Sequence, residues 1–471
     1  MTLARALAVL TCAATWVPPA LAAQTSQLDS INWYIASEMQ RQQIPGLSVA
    51  VLRGDRILLA RGYGFANLEL RVPASDSTIY QSGSVGKQFT AAAVGMLAQQ
   101  GRLKIEDRIT KWFPEGKGVW DSVTVRHLLT HTSGIPEYTD SLIDLQKDYT
   151  EDELVSLAAA QPLDFPPGDT WSYSNTGYAV LGALIRRITG RFYGDVLHQL
   201  IFGPLGMHTR VISEADVIPN RGAGYRLVEQ QIKNQEWVSP SLNTTADGAL
   251  YFTVNDLAKW AVALNHRRLP DARVLDPAWT PVRLNDGETV PYGYGWDLKE
   301  QRGHRRVGHP GAWQGFETAI HRYPEFDLSV IVLANLNGAT PSSIAQGIAG
   351  ILEPALQPPQ LLETRLRGAT PPVPIPALLQ RVAAGNEADI VTPGLQRFQR
   401  PAARLRLSQM LQDVGSWTAL GCEPVKQKTR WLDADVARIC YARGTGKAGR
   451  TVVTVYYADD WRATYFDYES Y

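Results

Sequence analysis

The placement of strand-like runs constrains this chain more than any other feature. Residues 47–52 and 57–60 are apolar runs joined across Gly54-Asp55, a hairpin signal. Strand character returns near residues 305–307 and continues at 316–323 and 328–333, the last two joined at Pro324-Glu325-Phe326-Asp327. A mixed, mostly helical stretch runs between, from Ser84 to about Trp260. Strands at both ends with helices between predict an antiparallel sheet assembled from distant segments. Helices would cover its faces, and a helical region would be inserted between the strand groups, giving an α/β (α+β) fold. Leu28, Ile31, Ile35 and Met39 recur at helical spacing ahead of the first strand, and a helix over residues 342–352 closes the domain.

At 471 residues the chain has room for a second, smaller domain. Residues 356–376 are dense in proline and read as an extended linker between a main domain at 23–355 and a C-terminal domain at 377–471. In that last part, residues 377–384 and 404–414 read as helices. Runs at 417–425, 436–441, 451–457 and 461–468 read as an antiparallel meander, together a small α+β domain comparable with the NTF2-like arrangement. It carries no nucleophile, base or ligand cluster, so an accessory or dimerising role is expected of it.

The first residues follow a different logic. Arg5 precedes a nearly continuous apolar or small run over residues 6–17, and Ala20-Leu21-Ala22 offers a small-x-small cleavage site. Residues 1–22 read as a secretory signal peptide, because the run is shorter than the roughly 20 residues a bilayer span needs. Thr11 before Cys12 fits a lipobox poorly. The mature protein is expected to be secreted or periplasmic, without a membrane span. Export leaves Cys422 and Cys440 with a single possible pairing, and a disulfide closing so short a loop stabilises by about 3 kcal/mol. The formal net charge is +0 and no Lys/Arg run occurs, so nothing calls for a nucleic-acid partner.

Ser84-Val85-Gly86-Lys87 opens an alanine-rich segment that ends at Gly101, which predicts a helix with a glycine after its last turn. Residues three apart share a helix face, so Ser84 Oγ and Lys87 Nζ can meet. A lysine accepts a serine proton only where desolvation or a nearby cation lowers its pKa. The first turn also supplies backbone N–H groups and the positive dipole end for an oxyanion. Tyr173-Ser174-Asn175 follows the turn-forming Phe165-Pro166-Pro167-Gly168 and is expected to project from a loop. A tyrosine beside an ammonium ionises more easily and shuttles protons, while an asparagine anchors the lysine and a substrate carbonyl. His309-Pro310-Gly311 closes a strand, where Gly311 permits close approach of substrate and the Ala312 N–H completes an oxyanion hole.

In order and rough spacing, Ser84-x-x-Lys87, Tyr173-x-Asn175 and His309-x-Gly311 resemble the motifs of class C β-lactamases and penicillin-binding proteins. They also resemble those of D-Ala-D-Ala carboxypeptidases, D-aminopeptidases and related esterases. His127-Leu128-Leu129-Thr130-His131-Thr132-Ser133-Gly134 and residues 248–260, with Asp256-Leu257, extend the resemblance over about residues 25–355. It implies that Ser84 attacks a carbonyl while Lys87, coupled to Tyr173, takes its proton. The Ser84 and Ala312 N–H groups would hold the oxyanion, and Asn175 would orient Lys87 and the acyl group. Tyr173 would protonate the leaving group. No metal or organic cofactor is implied.

The third motif departs from the Lys-Thr-Gly or Lys-Ser-Gly of the lactamases. His309 keeps a side chain able to carry positive charge. Pro310 removes a hydroxyl that would bind a substrate carboxylate, a loss of about 1.5 to 3 kcal/mol. The expected activity is therefore that of an esterase or D-amino-acid amidase or peptidase on a small-molecule or peptide substrate. β-Lactam hydrolysis is the alternative, as is a catalytically silent sensor of peptidoglycan or β-lactams. Other hydrolase patterns fail. Ser82 stands where a Gly-x-Ser-x-Gly elbow needs its first glycine, Gln81 and Gln88 break a P-loop, and Leu128 replaces the glutamate of a zincin helix. His127 and His131 are expected to be a structural pair near the site.

Overall fold

The computed structural model describes residues 19–138, 142–211, 217–357, 370–399, 401–431, 434–446 and 449–470. Most of the signal-peptide segment and the middle of the proline-rich stretch lie outside the described residues. The two strand groups meet as the spacing predicts. A seven-stranded sheet runs in the order Asp297–Gln301, His304–Trp313, Phe316–Tyr323, Leu328–Ala334, Gly46–Arg53, Arg56–Asn67 and Val72–Pro73. The distant ends join through Leu47↔Ala334 to Arg53↔Leu328, and all pairings across the sheet are antiparallel.

Strand alternation divides the central apolar run between two cores. Leu47, Val49, Val51, Val330 and Val332 face Ile31 and Ile35 of the Pro19–Gln42 helix and Ile344 and Ile348 of the Pro341–Leu352 helix. Ala50, Leu52, Ile331 and Leu333 face the other way, toward Phe89 of the Lys87–Gln99 helix and Leu257 and Trp260 of the Val254–His266 helix. Each fully buried Val, Leu or Ile contributes roughly 1.5–3 kcal/mol. The sheet is thus clamped from both sides, and the helix that follows Ser84 is nearly all core.

Two local features place the motifs. Thr253 caps its helix by accepting from the Asp256 N–H at 3.0 Å, while Asp256 reaches back to Thr253. Ser174 caps Asn175–Thr189 by accepting from the Gly177 N–H at 3.1 Å, and Gly190 ends that helix in the left-handed region. Asn175 therefore opens a helix rather than projecting from a loop. Only Tyr173 stays on the preceding segment.

From residue 375 the chain forms the helices Ile375–Ala383, Pro393–Phe398 and Pro401–Asp413. A four-stranded antiparallel meander follows, Val414–Trp431, Ala434–Gly446, Gly449–Tyr457 and Ala463–Ser470. Cys422 and Cys440 face each other across the first two strands and are joined as a disulfide. This sheet shares one core with Val282, Leu284, Val290 and Tyr292 of the main domain. It is also tethered to the edge strand of the large sheet and the turn after it, by Lys299–Asp467 at 3.1 Å and Arg302–Glu423 at 2.9 Å. Among the described residues no helix is long and apolar enough to cross a membrane.

Candidate active site

Ser84 lies in a 3-10 turn, Gly83–Gly86, that leads directly into the Lys87–Gln99 helix. The turn is pressed onto the His304–Trp313 strand. Gly83 has φ +51, and a Cβ there would come within 2.5 Å of the Ala312 nitrogen. A Cβ on Gly311 would lie 2.2 Å from the Ser82 carbonyl oxygen and 3.0 Å from the Ser84 nitrogen. Thr318 Oγ1 donates to the same Ser82 oxygen at 2.6 Å and pins the turn from the next strand. Two glycines thus let the serine turn pack backbone against backbone on the strand that carries Ala312.

Lys87 is fully buried, and its three donors are all used. Nζ donates to Ser84 Oγ at 3.0 Å, to Asn175 Oδ1 at 2.7 Å and to the Asp247 carbonyl oxygen at 2.7 Å. Burial lowers its pKa to about 8, with the Asp247 and Glu137 carboxylates pulling the other way. Asn175 is held from behind, since its backbone N–H donates to Glu137. Asp247 accepts from the buried Tyr138 hydroxyl at 2.7 Å.

Tyr173 packs its ring 4.9 Å from Lys87 Nζ and 4.3 Å from the centre of His131. Its buried hydroxyl makes no hydrogen bond, although Ser84 is close enough to oppose the effect of burial. Burial dominates and pushes the phenol well above 10. Against the expectation that Tyr173 ionises easily, burial holds its hydroxyl neutral.

His309 is buried in the middle of its strand, with Nε2 2.9 Å from the Tyr292 hydroxyl. Burial, assisted by Lys87 and Lys299, holds its pKa below 6.5 against the pull of Asp297 and the Pro310 carbonyl. The third motif therefore presents a neutral imidazole at pH 7 and not a cation. His127 and His131 do not pair. The His127 ring caps its own short helix by accepting from the Thr124 N–H at 3.2 Å, whereas His131 sits among Trp171, Tyr173, Tyr178 and Tyr292.

The structure thus brings Ser84, Lys87, Tyr173, Asn175, His309, Gly311 and Ala312 together from three distant segments. Glu137, Asp247 and Tyr292 join them without any sequence motif that points there. Residues 31–352 match the Beta-lactamase family. The chain belongs to that family.

Penicillin-binding protein 4* of Bacillus subtilis (strain 168) is 30% identical over 315 residues, 63% of this chain and 69% of that protein. Protein flp of Staphylococcus aureus (strain MW2) is 28% identical over 329 residues, 66% of this chain but 63% of its own length. Among solved structures, the D-amino acid amidase from Ochrobactrum anthropi SV3 superposes with a TM-score of 0.61 at 25% identity, covering 70% of this chain and 98% of the amidase. The octameric penicillin-binding protein homologue from Pyrococcus abyssi gives a TM-score of 0.64 at 23% identity, covering 94% of this chain and 96% of that one. The last likeness is one of fold alone, and it extends over the C-terminal sheet. The family match stops at residue 352, before that sheet begins. The chain is a serine hydrolase of this family.

Proposed function

We propose that the protein hydrolyses an ester or amide through an acyl-enzyme on Ser84, with Lys87 as general base and Tyr173 as general acid. The observation that carries this reading is Lys87 Nζ at 3.0 Å from Ser84 Oγ inside a buried site that lowers the lysine pKa to about 8. Neutral Lys87 takes the Ser84 proton as Oγ bonds to the substrate carbonyl carbon. The resulting oxyanion is received by the Ser84 and Ala312 N–H groups. Collapse breaks the bond to the leaving group, which takes a proton from Tyr173, and Lys87 restores that proton. Water then attacks the acyl carbon with the same base and regenerates Ser84. Asn175 holds Lys87 in line throughout.

Substrate choice follows from the third motif. Pro310 offers no hydroxyl, and a neutral His309 offers no cation for a substrate carboxylate. A neutral ester or the amide of a D-amino acid is therefore favoured over a β-lactam, whose carboxylate would lack its usual partners. The disulfide and the apolar start of the chain support a secreted or periplasmic setting.

A serine-reactive fluorophosphonate with intact-mass readout tests the nucleophile, and a panel of p-nitrophenyl esters, D-amino-acid amides, D-Ala-D-Ala peptides and nitrocefin tests the substrate. One adduct on the wild type, none on Ser84→Ala, and turnover of esters or D-amides ahead of nitrocefin are expected. An equal adduct on Ser84→Ala would overturn the assignment. An adduct without turnover of any substrate would favour a silent sensor.

A further inference from the structure

Tyr292 connects two histidines that belong to different motifs. Its hydroxyl lies 3.0 Å from His131 Nε2 and 2.9 Å from His309 Nε2. The other nitrogen of each ring meets backbone. His131 Nδ1 lies 3.1 Å from the Ser174 nitrogen, and His309 Nδ1 lies 2.5 Å from the Pro310 carbonyl oxygen. These two ends fix the direction of every bond between them. An amide N–H only donates, so His131 Nδ1 is an acceptor and the ring carries its proton on Nε2. A carbonyl only accepts, so His309 carries its proton on Nδ1 and leaves Nε2 as an acceptor. His131 Nε2–H then donates to Tyr292, and the Tyr292 O–H donates to His309. One unbroken chain runs from the Ser174 N–H to the Pro310 carbonyl.

The positions of those ends give the chain its meaning. Ser174 is the middle residue of Tyr173-Ser174-Asn175, and Pro310 is the middle residue of His309-Pro310-Gly311. We propose that Tyr292 is a positioning residue that ties the second motif to the third through His131, and so fixes Tyr173 and the Ala312 N–H across Ser84. Tyr292 touches neither Ser84 nor Lys87 in any hydrogen bond, so it acts through its neighbours. Its ring is held independently, against Trp171 at 5.6 Å and within the core shared with the C-terminal sheet.

The tie depends on both rings staying neutral, since a second proton turns an acceptor nitrogen into a donor facing another donor. His131 is faced by Lys87 and His309, and by the rings of Trp171, Tyr173 and Tyr178. His309 is faced by Asp297, which favours its charge, and by Lys87 and Lys299, which oppose it. Burial holds both rings below 6.5, so the chain is intact at neutral pH and opens in acid.

The inference rests on the acyl-transfer reading, and two readouts keep them separate. Long-range 15N–1H spectra of the histidine-labelled wild type, which need no activity, should show His131 protonated on Nε2 and His309 on Nδ1 at pH 7. The opposite tautomer on either ring, or an imidazolium on either at pH 7, would overturn the tie. Tyr292→Phe keeps the ring and deletes the hydroxyl. It should still take the fluorophosphonate on Ser84 and lose about tenfold in kcat with KM within about twofold. A wild-type kcat, or an equal rise in KM and fall in kcat, would sink the proposal. Should Tyr292→Phe fail to fold, the wild-type spectra still decide. No Ser84 adduct on the wild type would defeat the acyl-transfer reading alone.

Discussion

Burial decides what Lys87 can do. A surface lysine is protonated at any physiological pH, but this one has exchanged water for one carbonyl, one amide oxygen and one serine hydroxyl. Asp247 and Glu137 limit how far its pKa falls. Only the neutral form is a base, so kcat/KM for an ester should rise with pH and level off above a midpoint of about 8. Lys87→Arg keeps a cation that never deprotonates and should cut the rate by about 10²–10⁴-fold at every pH. A flat profile between pH 6 and 9 in the wild type, or an active Lys87→Arg, would exclude Lys87 as the base. At this scale the sequence was legible where the chemistry is local. Ser84 and Lys87 are three residues apart, and Tyr173 and Asn175 are two apart, so spacing alone reveals them. Tyr292 and Asp247 reach the site only through tertiary packing. Their neighbours in sequence say nothing about lysines or histidines on other segments. The charge of His309 is hidden from the sequence for a related reason: it depends on how deeply its strand is covered.

The element that matters most for the oxyanion is the strand carrying Gly311, because it is also the seat of the serine turn. Strand character near Arg305 to Val307 reveals its start, and the strand continues to Trp313. Glycine and proline ordinarily break strands, so the sequence closes the strand at Gly311, two residues short of its end. Here each glycine permits a close approach: Gly308 to the Ile320 carbonyl and Gly311 to the Ser82 carbonyl. Ser84 was expected to begin an α-helix but occupies a 3-10 turn, because the left-handed Gly83 brings the chain around just before it. Gly311→Ala should force strand and turn apart. The expected outcome is a loss of about 1–3 kcal/mol in stability from overpacking, with a fall in kcat of about a hundredfold as the two N–H groups lose alignment. Urea unfolding and single-turnover acylation measure the two effects. Unchanged acylation in a folded Gly311→Ala would mean that this strand does not supply the oxyanion donor.

At the scale of the whole molecule, the proline-rich stretch suggested two bodies on a tether, and composition offered no hint of how they meet. The residues that join them are apolar or ionic side chains on separate surfaces: Val282, Leu284, Val290 and Tyr292 on one side, with Leu378, Val455 and Phe466 on the other. Lys299 lies between Asp297 and Asp467. Burial would lower its pKa, but Asp467, Tyr465 and Asp297 hold it well above 10.5, so the tether is ionic over the working pH range. The strand bearing Lys299 pairs with the one bearing His309, through Asp297↔Gly308 and Leu298↔Val307. Loosening the C-terminal sheet therefore reaches the site by one hydrogen-bonded strand and by the core around Tyr292. Because that core is continuous, heating should unfold the chain in one calorimetric transition and not two. Phe466→Ala removes a buried ring of the C-terminal sheet and should cost about 3–5 kcal/mol. It should lower that single transition as a whole and also slow ester turnover, while fluorophosphonate still labels Ser84. Two transitions, with only one displaced by Phe466→Ala and turnover unchanged, would show that the C-terminal sheet is an independent attachment. A single displaced transition with slowed turnover makes it part of the scaffold that holds Tyr292 and His309 in place.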